Sequence, residues 1–352
     1  MKHVEDNALI SEVDRSFCRF ESSFFLEKCL QLLPSDLVSC RNSLEYLQTL
    51  GLLILYENQS GNDVALQQYM GMYLTMMALD GLHSELRWPK DIDKREVQTR
   101  RRLYWVLYRL EVHSAYVMGH LIRMHGSQSS VLYPQPVDEE EPDYTGGLSS
   151  GTWLVGWNFI TDCYRILESC FQVFNPRSET GGLFSKDANH SIDVNLDLQT
   201  LQRISTETHK ALPFVFKEAS ADISDTLTIR NGFQAANIAC TMLLMRLVCL
   251  SMESADTVAH SLDVVHELIK STSLIPSAYF RAVGTPMFQE LSGFGYILGR
   301  FVANPLLEKE FLHVKVALHS LSDLLEKLND FNDSLKISQF KSYLEKFDSV
   351  VS

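Results

Sequence analysis

The sequence predicts an all-α fold, a large bundle of packed antiparallel helices, and three observations carry that reading. Apolar residues recur at helical spacing through most of the 352-residue chain. Period-two alternation bounded by turn residues is nearly absent. With 45% hydrophobic and 21% charged residues the chain can bury a large core. No fixed period links the helical stretches, which excludes a regular solenoid.

Residues 1–34 read as lead-in helices and 35–350 as one helical domain. Leu44, Leu47, Gly51 and Leu55 form one stripe and Leu66, Met70, Tyr73, Leu74 and Met77 the next, with Asn58 to Asp63 as the break of an αα-hairpin. Gly81 then closes the second helix in a left-handed conformation. From Lys94 to Arg123 the spacing predicts one helix of about 30 residues, roughly 45 Å long. Leu103, Leu107, Leu110, Ser114, Val117 and Leu121 share a face of it, while Arg102, Arg109, His113 and His120 line a narrow stripe expected to meet water or polar partners. Residues 126–150, rich in Pro and Gly and carrying the acidic run Asp138 to Asp143, read as a loop-like hinge. Beyond it Trp153, Trp157, Ile160, Tyr164, Leu167, Phe171 and Phe174 form an aromatic seam that must pack on another helix. After a polar gap at 175–195, further helices are expected near 196–217, 224–252, 255–271, 286–301, 304–328 and 334–349.

Composition narrows the function. A net charge of −13 offers no general drive toward nucleic acid. Seven scattered cysteines, an odd number set among apolar neighbours, read as reduced core thiols. Met1 to Ile10 holds no apolar run of secretory length, so the chain is expected to act inside the cell. Ile238 to Leu250 is shorter than the roughly 20 residues that span a bilayer, so it reads as a buried helix and no membrane association is expected.

The motifs of catalysis are missing: there is no CxxC, no HExxH, no phosphate-binding loop and no nucleophile elbow. His260 with His266 and His313 with His319 are six residues apart, which turns each pair about 120° out of register on a helix, so no metal is expected there. Gly293, Gly295 and Gly299 have the wrong spacing for a dinucleotide loop and read as close helix packing. The run Arg100-Arg101-Arg102 could form a phosphate patch with Lys90, Lys94, Arg95 and Arg109, but Glu96 lies four residues before Arg100, placed for an ion pair that makes the run structural. Met70, Met72, Met76 and Met77, with Met242 and Met245, could line a site for a small apolar ligand or simply fill the core.

Three segments, Ser43 to Tyr56, Met77-Ala-Leu-Asp-Gly-Leu-His83 and Glu96-Val-Gln-Thr-Arg-Arg-Arg-Leu-Tyr-Trp-Val-Leu-Tyr108, resemble the fungal-specific transcription factor domain, also called the xylanolytic transcriptional activator regulatory domain or middle homology region. The match is densest from about residue 35 to 125, and the later helices resemble the family in style. The resemblance implies an all-helical regulatory body of a nuclear fungal transcription factor, controlling RNA polymerase II transcription through partner- or ligand-dependent conformational change, without catalysis and without a cofactor in this chain. Its signature positions here are Gly81, Leu82, His83, Arg100, Arg101, Arg102, Leu103, Trp105 and Tyr108, all read as structural. Family members usually carry a zinc cluster of six closely spaced cysteines ahead of this domain. Cys18, Cys29 and Cys40 are spaced by eleven and supply none, so DNA contact is expected only through an absent zinc-cluster module and the partners expected are proteins or a second copy of the chain. The segment after the signature helix departs from the family's arginine- and proline-containing continuation, since Glu111, Val112 and Ser114 lead to Gly119 and His120. A helical interaction or scaffold protein derived from such a regulator is the alternative. If the signature is structural, Arg102→Ala and Trp105→Ala each lower the thermal unfolding midpoint; unchanged midpoints in both would remove the assignment.

Overall fold

The computed structural model describes residues 22–34, 36–137, 152–174, 198–219, 226–250, 257–276, 279, 291, 293–294 and 308–329. Among the described residues there are nine α-helices and no strand: α1 (Ser22–Leu32), α2 (Leu44–Ser60), α3 (Asp63–Asp80), α4 (Lys94–Met118), α5 (Thr152–Phe174), α6 (Leu198–Ala211), α7 (Thr226–Leu250), α8 (Thr257–Leu274) and α9 (Glu308–Asn329). The all-α expectation therefore holds. The helices expected near 286–301 and 334–349, and the polar gap at 175–195, lie largely or wholly outside the described residues.

The hairpin is set by local chemistry. Ser43 caps α2 by accepting the Tyr46 amide, and Gly61 ends it at φ 69°, a left-handed value that favours glycine. Asn62 then accepts the Ala65 amide and starts α3. The stripe that α2 buries is centred on Leu47, Leu50 and Ile54, with Leu50 and Ile54 fully enclosed. Leu55, placed on that stripe by spacing, is 38% exposed, because the hairpin contact rotates the buried arc toward Leu53 and Ile54.

Before α2 the chain is pinned from an unexpected side. The Asp80 side chain is wholly buried and accepts from Arg41 Nε at 2.9 Å and from the Asn42 amide at 2.8 Å. Asn42 itself is the one non-glycine residue with positive φ among the described residues, at 61°, a conformation asparagine tolerates.

Asp93 caps α4 by accepting the Glu96 amide, and Gly119 ends it at φ 72°. The helix is 25 residues long, shorter than the spacing predicted, because glycine takes the left-handed C-cap and the chain leaves at His120. Leu121 consequently lies past the helix and is 74% exposed. Residues 120–137 run on as an irregular strap with a short 3-10 turn at Gly126–Gln128.

Packing follows the chain. α2 lies on α3 and α4, α4 on α5, α5 on α6 and α7, α7 on α8, and α8 on α9. The helix expected near 224–252 runs from Thr226 to Leu250 and contains the apolar stretch Ile238 to Leu250. Thr228–Leu250 is long and apolar enough to cross a membrane by composition, so length does not separate the two readings; 72% of that apolar window is buried inside the fold, as in a core helix. Its Arg246 pairs with Glu267 on α8 at 2.7 Å.

Where α5 meets α7, Cys170 and Cys249 face each other with sulfurs 3.6 Å apart, both enclosed. They are free thiols, as are Cys29, Cys40, Cys163 and Cys240, while Cys18 lies outside the described residues. The contact with Cys249 and burial push the Cys170 thiol well above its ordinary value, so it stays protonated and unreactive.

Asp80→Asn keeps the size of the side chain but presents an N–H where two donors converge. It is expected to lower stability by about 2 kcal/mol in urea unfolding, with helical circular dichroism unchanged under native conditions.

Candidate regulatory site

The signature residues come together around the strap. Gly81 is the C-cap of α3 at φ 65°, and a Cβ there would sit 2.4 Å from Arg87 Cδ and 2.9 Å from its Cβ. Leu82 is buried, and its carbonyl accepts the Trp88 indole N–H at 3.0 Å. His83 contributes its backbone: the carbonyl accepts the Ser130 amide at 2.9 Å and the Ser129 hydroxyl. The turn thus begins the grip on the strap.

The arginine run continues it. Arg100 is buried, bonded to Glu96 one turn earlier at 2.6 to 2.8 Å and to the Asn42 carbonyl at 3.2 Å. The ion pair expected at that spacing is present. Arg101, also buried, makes a bidentate pair with Glu85 at 2.7 and 2.8 Å. Glu85 in turn accepts the Leu132 amide at 2.8 Å, so one carboxylate ties α4, the 85–87 turn and the strap together. Burial pushes the Glu85 carboxyl up, but Arg101 and the Leu132 amide outweigh it and hold the group below its ordinary 4.5.

Trp105 is buried, donates its indole N–H to the Leu132 carbonyl at 3.0 Å and meets the Tyr104, Tyr108 and Tyr133 rings edge-on at 5.0 to 5.2 Å. Leu103 fills the notch over Gly51, where a Cβ would lie 2.5 Å from its Cδ1. Gln98 accepts the Gln135 amide at 2.6 Å. Residues 126–137 are irregular, as a loop-like segment should be, and are tied to α4, to α5 and to the turn after α3; residues 138–150 lie outside the described residues. Apart from the His83 carbonyl, the polar groups that hold the strap are mainly side chains, because it has no strand beside it to pair its backbone.

Tyr108 reaches further, to a buried carboxylate on α5. Its hydroxyl donates to Glu168 at 2.6 Å, the Gly126 amide donates to the same oxygen at 3.0 Å, and His125 Nδ1 lies 2.9 Å from the other. Burial first, and the carboxylate second, push the Tyr108 phenol far up, so it remains a donor. A Cβ on Gly126 would come within 3.2 Å of Glu168 Oε2 and 3.3 Å of the Tyr108 hydroxyl, which accounts for a glycine at this crossing.

The polar stripe of α4 meets α5 rather than water. Arg102 lies 6.0 Å from the Trp153 ring centre, and Arg230 of α7 approaches the same ring at 5.4 Å. Arg109 stacks at 4.1 Å over Trp157. Burial pulls the Arg109 guanidinium down to about 10, still charged at neutral pH. His113 meets the Tyr164 hydroxyl at 3.2 Å. His120, past the helix end, turns back to Ser114 and Gln67 at 2.6 and 2.8 Å. Cations on one helix and tryptophans on the other make complementary surfaces, so the stripe is an interface. Arg102 accordingly anchors by stacking, while the ion pairs belong to Arg100 and Arg101.

Behind Glu168 a cavity of about 450 Å³ opens between α5, α6 and the start of the strap. Among the described residues no group of three or more His, Cys, Asp or Glu side chains is placed to hold a metal ion. Sequence spacing missed Glu85 and Glu168. The first sits in a short turn without periodicity. The second left a signal, since it is an acid beside Leu167 within an otherwise apolar seam, and a charge in that position needs donors brought from elsewhere.

This clamp lies within the matched span of a known family: residues 3–196 match the fungal specific transcription factor domain, and the chain belongs to that family. No curated protein and no solved structure is significantly similar to it. The family is a regulatory region of fungal transcription factors rather than a class of enzymes, and it acts in the nucleus. The matched span takes in α1 to α5, and α6 to α9 lie beyond it.

Two expectations follow from the clamp. Gly81→Ala, strained by the backbone and by Arg87, lowers stability by about 1 to 3 kcal/mol in urea unfolding. Because the fold holds the Glu85 carboxyl below its ordinary 4.5, the stabilisation from its charged form is complete above that value and disappears as pH falls through the lower folded one. Glu85→Gln should therefore be less stable than the wild type at pH 7, and the difference should close in unfolding curves taken progressively below pH 4.5.

Proposed function

We propose that this chain is the conformational control element of a fungal transcription factor acting on RNA polymerase II promoters in the nucleus. The observation that carries the reading is the strap clamped by the family's own signature helix. An arrangement held by a few side-chain bonds to Glu85, Gln98, Trp105 and Glu168 has a second state available when those bonds are released. A ligand or partner that binds one state preferentially shifts the population, which is all that regulation requires. DNA contact in this reading comes from a zinc-cluster module outside this chain. Protein partners, or a second copy of the chain, would read the state of the clamp. No step in this scheme needs catalysis or a bound cofactor.

The test joins the chain to a heterologous DNA-binding domain at a reporter promoter in yeast. Trp105→Phe removes the indole N–H that holds the Leu132 carbonyl while keeping an aromatic ring at this buried position. It is expected to change reporter output by up to about fivefold, with protein abundance and promoter occupancy unchanged, because losing one bond worth about 1 kcal/mol shifts a two-state equilibrium by about that factor. Reporter output equal to wild type in both Trp105→Phe and Glu85→Gln would overturn the reading.

A further inference from the structure

The cavity behind Glu168 has features that the clamp does not use. Its volume of about 450 Å³ lies in the range of small-molecule sites, and its walls are Phe159 and Ile166 from α5 with Leu201 and Ile204 from α6. Ile204 is 47% exposed, leaving apolar surface on α6 for an occupant to cover. The polar groups in the walls are not equivalent. Glu168 is saturated by Tyr108, the Gly126 amide and His125. Asp162 accepts the Tyr133 hydroxyl, and its burial raises the carboxyl above its ordinary value although Tyr133 and the charge of Arg165 act to lower it.

Arg165 is different. Its guanidinium makes one hydrogen bond, from Nη1 to the Tyr133 oxygen at 3.3 Å, and among the described residues it forms no ion pair within 4.0 Å. Tyr133 thus stands between Asp162 and Arg165 and occupies the acid while leaving most of the fork of donors open. A planar donor fork beside an apolar trough fits a carboxylate with a hydrocarbon body.

We propose that this cavity binds a small organic acid, its carboxylate on the Arg165 guanidinium and its apolar body between Phe159, Ile166, Leu201 and Ile204. The inference deepens the proposed conformational control and rests on it for its consequence: Glu168 and Gly126, which form part of the cavity wall, also join α5 to the signature helix and to the strap. Occupancy would therefore bias the clamp directly.

The experiment titrates the purified chain with 4-phenylbutanoate, its neutral isostere 4-phenylbutanamide and the cation 4-phenylbutylamine, read by ligand-observed NMR. The acid is expected to bind about tenfold more tightly than the amide, as a charge-assisted contact provides. Arg165→Gln should remove that preference while leaving the unfolding midpoint unchanged, and Ile204→Asp should weaken the acid at least as much by placing a like charge in the trough. Equal affinity for acid and amide, tighter binding of the amine, or a preference that survives Arg165→Gln would overturn the site. If the acid binds as expected but leaves the yeast reporter unmoved, ligand control fails and the site stands. If the acid does not bind while Trp105→Phe still moves the reporter, the site fails and the regulatory reading stands.

Discussion

The charges that α4 carries into the interior constrain everything around them. A helix buried over most of its circumference still holds Arg100, Arg101, Arg109 and Glu111 inside, and a charge taken out of water needs partners at fixed positions. Glu96, Asn42 and Glu85 answer the first two, the Trp157 ring the third, and Arg123, bonded to Glu111 through its side chain and its amide at 2.7 to 2.9 Å, the last. Each answer comes from a different segment. The entry to α2, the turn after α3, the chain leaving α4 and the face of α5 are all positioned by the same helix. Apolar packing would permit several rotations of α4 in its bed, whereas these pairs permit one.

The same economy explains why the strap is held by so few residues. The strap has no strand to complete its backbone bonding, so it borrows carboxylate, amide and indole groups from α4 and from the turn before it. Bonds of this kind are individually modest and share partners, Glu85 and Glu168 above all, so that disturbing one shifts the geometry of the next. Glu168 stands where the cavity, the strap and Tyr108 meet, and coupling between a bound molecule and the signature helix would need no longer path than this one side chain.

Much of this was legible in the residues. Helical spacing located α2 to α9, Gly81 announced the end of α3, and the four-residue step from Glu96 to Arg100 announced their ion pair. Spacing failed where the deciding interaction was non-local or conformational. Gly119 ends α4 because a left-handed cap competes successfully with continued helix, although the apolar pattern runs on to Leu121. The stripe expected to meet water or polar partners finds polar partners for His113 and His120, but the partners of Arg102 and Arg109, Trp153 and Trp157, were not legible because they lie about fifty residues away and stack instead of pairing charge with charge. The bonds that hold the strap were not legible because Pro and Gly describe what a backbone can do and not which side chains will hold it.

The packing of α5 on α7 also sets a timetable for synthesis. Leu167 and Cys170 on α5 are fully enclosed, Cys170 against Cys249 on α7, and the chain between Phe174 and Leu250 must leave the ribosome before that face can be covered. At roughly 5 to 20 residues per second this takes from about 4 to about 15 seconds. For most of that interval the segment matching the family, which ends at residue 196, is already out, with an apolar seam open on one side. The α5 helix, which packs on the signature helix as well, is covered on this face only when α7 arrives from beyond the matched span.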